Sequence, residues 1–216
     1  MSTKFLNSRF GSNLSTFIII SIGLIMVPIA AILVLIWRKL TKATYKSLGL
    51  YKPTRIIKTI VIGVVLGILL KLFSATIFMP LIGYPSQGSG AFLFIQESLT
   101  NALLMSVYII IVAGFCEEIV FRGFFFKRFE SWFGSSRRIK VTMVIIGSLL
   151  FGIPHIYQGF HGAMNSIVIG AIYGMVYLMN KKNLWLVMIS HATYDLLATY
   201  IIYNGLTKTI STLFFN

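Results

Sequence analysis

Acidic residues are almost missing from this 216-residue chain, which has five Asp and Glu against nineteen Lys and Arg. Charge of either sign is scarce, at 11% of residues, whereas a soluble domain carries about 25%. Too little polar surface remains to cover a soluble fold. With 57% apolar residues and a mean hydropathy of +0.87, the chain reads as an integral membrane protein with no separate soluble domain. Its one cysteine, Cys116, excludes an internal disulfide. Apolar and acidic neighbours do not favour a thiolate there, so Cys116 reads as a small helix-packing residue rather than a nucleophile. The net charge of +14 would suit nucleic acid on a soluble face. The basic residues fall instead in short clusters between apolar runs, so no nucleic-acid partner is expected.

What is present is a series of apolar runs near the length that crosses a bilayer, about 20 residues. They are Phe17–Trp37, Ile57–Met79, Leu99–Phe126, Val141–Ile156, Ala163–Met179 and Leu184–Tyr203. The expected fold is therefore all-α, a polytopic membrane bundle of about six transmembrane helices. The first run is too long for a signal-peptide core, and Trp37-Arg38-Lys39 follows it as an interfacial anchor. The loop 38–58 carries seven Lys and Arg, the loop 127–140 five, and the turn at Lys181-Lys182 two. The loops 80–98 and 157–162 carry none. All three basic loops fall on one side, expected to be cytoplasmic, with both termini outside. Three segments are expected: 1–98 with two helices and a basic loop, 99–203 with a helix bundle that holds the site, and a tail over 204–216. The loop 83–90 reads as an external turn. Richness in Ile, Lys, Asn and Phe points to a bacterial cell membrane.

Three of the five acids, Glu117, Glu118 and Asp195, lie inside predicted spans. A central charge costs about 2.5–3.5 kcal/mol on insertion scales, so such residues face the bundle interior. Arg122, His155 and His191 lie inside spans as well, while His161 falls in a short external loop. Glu118 and Arg122 are four residues apart, on one helix face, where a guanidinium fork can hold a carboxylate in two hydrogen bonds. Glu117 sits about 100° around the helix and gains no such partner. One carboxylate thus reads as structural and the other as working, suited to a general base. His191 and Asp195 repeat the four-residue spacing, as do Phe151 and His155. Pro154 removes a backbone donor beside His155 and is expected to kink the helix. Lys71 interrupts the second span and either snorkels or faces the interior. A lone Glu–Arg pair is often only structural, and a lone membrane histidine often only bonds between helices. Six costly residues on three helices read better as one site. Measured from the cytoplasmic ends, Glu117, His155 and His191 lie about 15, 21 and 10 Å deep. Convergence therefore requires tilt or the Pro154 kink.

The stretch E-E-I-V-F-R-G at 117–123 resembles the EExxxR motif of the CAAX protease and bacteriocin-processing family of intramembrane proteases. F-G-I-P-H at 151–155 resembles its FxxxH motif, and H-A-T-Y-D at 191–195 its HxxxN or HxxxD motif. The three occur in the family's order, and the resemblance covers roughly 99–203. It implies peptide-bond hydrolysis within the membrane. Glu117 would activate water with help from His155, while Glu118 and Arg122 orient that group. His191, with Asp195, would stabilise the oxyanion. An Asn in the third motif could donate to an oxyanion. Asp195 donates only when protonated, and otherwise fixes the orientation of His191.

Metal dependence stays open at this point. The chain lacks HExxH, yet Glu117, His155 and His191 are a two-His, one-carboxylate set of the kind that holds zinc. A metal-free, glutamate-dependent mechanism is preferred, because no separate carboxylate serves as base if Glu117 is a ligand. The expected partners are the lipid bilayer and a peptide or membrane-protein substrate. The resemblance implies roles in peptide maturation, prenyl-protein trimming or bacteriocin immunity. The alternatives are a non-catalytic immunity or scaffold protein and a proton-coupled transporter. The small size and lack of an inverted repeat count against the transporter.

Overall fold

The structure, a computed structural model, describes residues 14–83, 92–207 and 209–210. Their regular structure is helical throughout. The main elements are α1 (Leu14–Leu40), α2 (Ile56–Leu81), α3 (Leu99–Phe133), α4 (Arg137–Gly152), α5 (Gly159–Met179) and α6 (Leu184–Tyr203). The all-α membrane bundle is as expected. The 83–90 turn, beyond Gly83, and most of the 204–216 tail lie outside the described residues.

Among the described residues, four helical runs are long and apolar enough to cross a membrane: α2, α3, the α4–α5 run and α6. The expected first span lies within α1. The expected fourth and fifth spans are the two legs of the single run Arg137–Met179. Between the legs, Ile153–Gln158 winds as a tight 3-10 turn with Pro154 as its second residue. A Cβ on Gly152 would stand 2.2 Å from Ile167 Cγ1, and one on Gly170 would stand 2.9 Å from the Phe151 ring. Residues 151–152 therefore face 167–170, and the legs run back against each other. The anticipated kink at Pro154 is a reversal of direction. Proline cannot donate to the preceding turn, and Gly159 leaves the 3-10 segment at φ +84°, a conformation cheap only for glycine. His155 accordingly sits in this turn and is half-buried. His161 lies in the first turns of α5 rather than in a loop.

The last helix starts at Asn183, whose side chain accepts the Trp185 backbone N–H at 3.0 Å. It runs parallel to α2. Gly63 faces Leu186 and Ile189, Gly67 faces Ser190 and Thr193, and Lys71 faces Tyr194. The glycines let the two backbones approach closely, as small residues do in membrane bundles. Behind them, Leu48, Ile119, Met143, Tyr173, Leu184 and Val187 fill the core at 0% exposure. At the basic side, Lys182 pairs with Glu130 and ties the α5–α6 turn to the end of α3.

The middle of α3 is wound more loosely than an α-helix. Ile109–Glu117 and Ile119–Phe125 make π-type turns, in which each N–H reaches the fifth residue back. Such turns occur often at functional sites, and here they carry Glu117 and Arg122. Replacing Gly67 tests the close contact of α2 with α6. A Cβ there would lie 2.5 Å from the Ser190 carbonyl oxygen, so Gly67→Leu should destabilise the bundle by about 1–3 kcal/mol, read as a lower thermal midpoint in detergent.

Candidate active site

Glu118 is the hub of the polar cluster. Its Oε1 accepts from Arg122 Nη1 at 2.9 Å and contacts His191 Nδ1 at 2.8 Å. Glu118 is 0% exposed and Arg122 2%. The sequence spacing of four residues is realised as one hydrogen bond, not the expected two-pronged fork. The second guanidinium arm, Nη2, instead donates to the Gly170 carbonyl at 3.2 Å. That carbonyl is reachable because residue 170 has no side chain. The guanidinium also lies 4.4 Å from the Phe151 ring centroid and 5.8 Å from that of Tyr173. Arg122 therefore ties α3 to both legs of the α4–α5 hairpin.

His191 stands between carboxylates. Its Nδ1 faces Glu118, and its Nε2 lies 3.3 Å from Asp195 Oδ2 and 4.0 Å from Glu117 Oε2. Both ring nitrogens face ionisable oxygens that accept, so both are placed to donate as an imidazolium. The ring is packed by Tyr173 at 5.3 Å and Phe151 at 5.8 Å between centroids. Glu117 is 8% exposed, and its Oε2 has no hydrogen-bond partner. A buried carboxylate oxygen without a donor is rare in a folded protein. Glu118 Oε2 is a second one, so what separates the two residues is that Glu118 Oε1 is held by Arg122 and His191, whereas Glu117 approaches His191 only at 4.0 Å.

The structure thus joins Glu117, Glu118, Arg122, His191 and Asp195 in one chain of contacts. His155 stands at its edge. Its Nδ1 lies 2.8 Å from the Phe151 carbonyl, which can only accept, so Nδ1 carries the proton and Nε2 is left as the acceptor. The His155 ring is 5.0 Å from that of Phe151, which also lies 5.8 Å from the His191 ring. Among the described residues, no hydrogen bond or ion pair joins His155 to Glu117.

The zinc set drawn from Glu117, His155 and His191 does not fit this arrangement. A zinc-bound histidine needs a free lone pair on one nitrogen, and both nitrogens of His191 face carboxylates. No group of three His, Cys, Asp or Glu among the described residues is arranged to hold a metal ion. Cys116 is buried against Ala31 and Val112, in keeping with a packing role. Sequence spacing missed Gly170 and Tyr173, which lie 48 and 51 positions beyond Arg122. The only sequence signal for them is the run of small residues at 170, 171 and 174 on α5.

A buried cluster of carboxylates, guanidinium and imidazole inside an apolar helix bundle defines a multi-pass membrane protein with a membrane-embedded polar site. Residues 99–197 match the family model of type II CAAX prenyl endopeptidases, Rce1-like. The matched segment contains all six site residues, and it is similar to the family that the three motifs resemble. Rce1-like proteins are a protease family. A protein of Mycoplasma capricolum subsp. capricolum, described as uncharacterised, is 29% identical over 113 residues. That match covers 50% of this chain and 31% of the relative, so the chain spans about a third of the relative's length. No solved structure matches.

Glu118→Ala would strand both Arg122 and His191 in the interior. Breaking one side of a buried charge pair costs about 3–5 kcal/mol, so the thermal midpoint in detergent should fall by on the order of 10 °C. Glu117→Gln, which breaks no hydrogen bond at Oε2, should leave it nearly unchanged.

Proposed function

We propose that this chain is an intramembrane endopeptidase in which Glu117 activates water for attack on a peptide bond. The observation that carries this reading is the buried, unpartnered Oε2 of Glu117, 4.0 Å from His191 Nε2. A base must have an oxygen free to take a proton. Glu118 is anchored through Oε1 by Arg122 and His191, and Asp195 lies 3.3 Å from His191, whereas Glu117 approaches a cationic group only at 4.0 Å. The family match supports the same reaction class.

In this mechanism a water between Glu117 and His155 gives its proton to Glu117 Oε2, with His155 Nε2 accepting the second O–H hydrogen bond. The water oxygen bonds to the scissile carbonyl carbon, and the carbonyl oxygen takes up the negative charge. His191, anchored through Nδ1 by Glu118, supplies positive charge and an Nε2–H beside that oxyanion. Glu117 then delivers its proton to the amide nitrogen as the carbon–nitrogen bond breaks. The products are a new carboxylate and a free amine. No step needs a metal, in keeping with the poor fit of the zinc set.

The proposed substrate is a small peptide or a membrane-attached protein tail that reaches the site from within the bilayer. A CAAX-type prenylated peptide is the first probe, on the strength of the family's description. Peptide maturation and bacteriocin immunity are the further roles that the motifs imply. The proposed setting is a bacterial cell membrane, with the basic loops at 38–58, 127–140 and 181–182 in the cytoplasm.

Cleavage of a farnesylated CAAX-type peptide and of an unprenylated peptide library should be measured by mass spectrometry with protein reconstituted in lipid. Glu117→Gln should lose at least about a hundredfold in rate while remaining folded. Full cleavage by that variant would refute the role of Glu117. A zinc chelator such as 1,10-phenanthroline should change the wild-type rate by less than about twofold, since no zinc-bound water takes part. Loss of activity restored by added zinc would refute the metal-free mechanism.

A further inference from the structure

Outside the cluster just described, the sequence places one more cation deep in a span, Lys71 of α2. The side chain is half-buried. Its ammonium lies over the Tyr194 ring, 5.0 Å from the centroid, and makes no ion pair among the described residues. A fixed ammonium at this depth is costly and normally finds an anion. The acid inventory leaves few choices. Glu130 pairs with Lys182, Glu118 with Arg122 and His191, and Glu97 lies before the start of α3. Asp195 directly follows Tyr194, the residue over whose ring the ammonium lies.

The helix packing fixes this neighbourhood. Parallel α2 and α6 are held in register by Gly63 and Gly67, which sets Lys71 one helical turn beyond His191, at the level of Tyr194 and Asp195. A closed ring of hydrogen bonds locks the same level. Ser74 Oγ donates to Asn165 Oδ1 at 2.7 Å, Asn165 Nδ2 donates to Tyr194 Oη at 2.9 Å, and Tyr194 Oη donates to Ser74 Oγ at 2.9 Å. Each of the three groups is satisfied by the other two. The ring joins α2, α5 and α6 and leaves Lys71 at that level without an ion pair among the described residues.

We propose that Lys71 is a positioning residue of the site: its ammonium is the fixed counter-charge of Asp195, keeping that carboxylate ionised and aimed at His191 Nε2. With Lys71 included, the membrane-embedded charges balance. Glu117, Glu118 and Asp195 are matched by Arg122, His191 and Lys71. The pairing also resolves the role of residue 195. An ionised Asp195 orients and charges His191 and does not itself donate to the oxyanion, which leaves His191 as the donor.

The test is a double-mutant cycle of Lys71→Met and Asp195→Asn in the full chain. Thermal midpoints in detergent need no substrate, so this arm stands whether or not the protein is a peptidase. Each single variant strands a charge and should lose several degrees, while the double variant removes both charges and should exceed either single one. If the singles fail to accumulate in membranes, recovery of the double variant reads the same coupling. Additive losses, or no loss in Lys71→Met, would overturn the pairing. The activity arm rests on the proposed peptidase reading and uses the farnesylated CAAX-type probe. Lys71→Met should lower kcat about tenfold with KM nearly constant, and Lys71→Arg should restore most of kcat. A raised KM with unchanged kcat would instead assign Lys71 to substrate binding and contradict the positioning role. No cleavage by wild type, beside intact coupling in the midpoints, would reject the peptidase reading and leave the pair standing.

Discussion

One carboxylate oxygen holds this site together. Glu118 Oε1 accepts from Arg122 and faces His191 at hydrogen-bond distance, linking α3 to α6. Through the other guanidinium arm, Arg122 reaches the Gly170 carbonyl on α5. An apolar bundle in lipid has no hydrophobic drive to bring its helices together. Packing and interhelical hydrogen bonds do that work. The charges that look costly in sequence are thus part of what orders the helices. Their expense also makes the arrangement specific, since an alternative packing that separates Arg122 from Glu118 leaves a charge in a low-dielectric interior.

That constraint divides labour between two adjacent carboxylates. Glu118 is fully buried, and its Oε1 is held by both Arg122 and His191, although its Oε2 has no partner. Glu117, one residue earlier on a loosely wound stretch of α3, keeps an oxygen without a partner. Two neighbours in the chain therefore occupy different electrostatic settings, Glu118 held by Arg122 and His191 through one oxygen and Glu117 with only His191 beside it, at 4.0 Å. The distinction depends on His191, which Glu118 holds at one nitrogen and which faces Asp195 and Glu117 with the other. The aromatic walls formed by Phe151 and Tyr173 pack both the imidazole and the guanidinium, fixing their orientation without competing for their hydrogen bonds.

Much of this was legible in the sequence, for definite physical reasons. Buried charge is so expensive in a membrane that each ionisable residue inside an apolar run stands out, so Glu117, Glu118, Arg122, His191 and Asp195 could be grouped before any coordinates. Four-residue spacing correctly paired Glu118 with Arg122 and His191 with Asp195, because both rest on local helical geometry. Long-range features were not legible. Hydropathy shows that 141–156 and 163–179 are apolar, but not that the turn at Pro154 lays them against each other as one hairpin. Nor does spacing reveal the π-type winding of α3, or that Gly170 offers its carbonyl to Arg122. The depth mismatch estimated from straight helices vanished for Glu117 and His191, which meet. It survives in part for His155, which stands across Phe151 from His191. Lys71 looked like an interruption of a span and gained meaning only from the parallel packing of α2 on α6.

The central claim is that Glu117 moves a proton and does not itself bond to the substrate. A single turnover in oxygen-18 water, with the lipid-reconstituted protein in excess over the farnesylated CAAX-type peptide, tests it directly. Mass spectrometry would read both the new carboxyl terminus of the product and the protein fragment that contains Glu117. The account predicts one heavy oxygen in the product and none in Glu117. Heavy oxygen in the Glu117 side chain would reveal an acyl intermediate on that carboxylate and contradict the account.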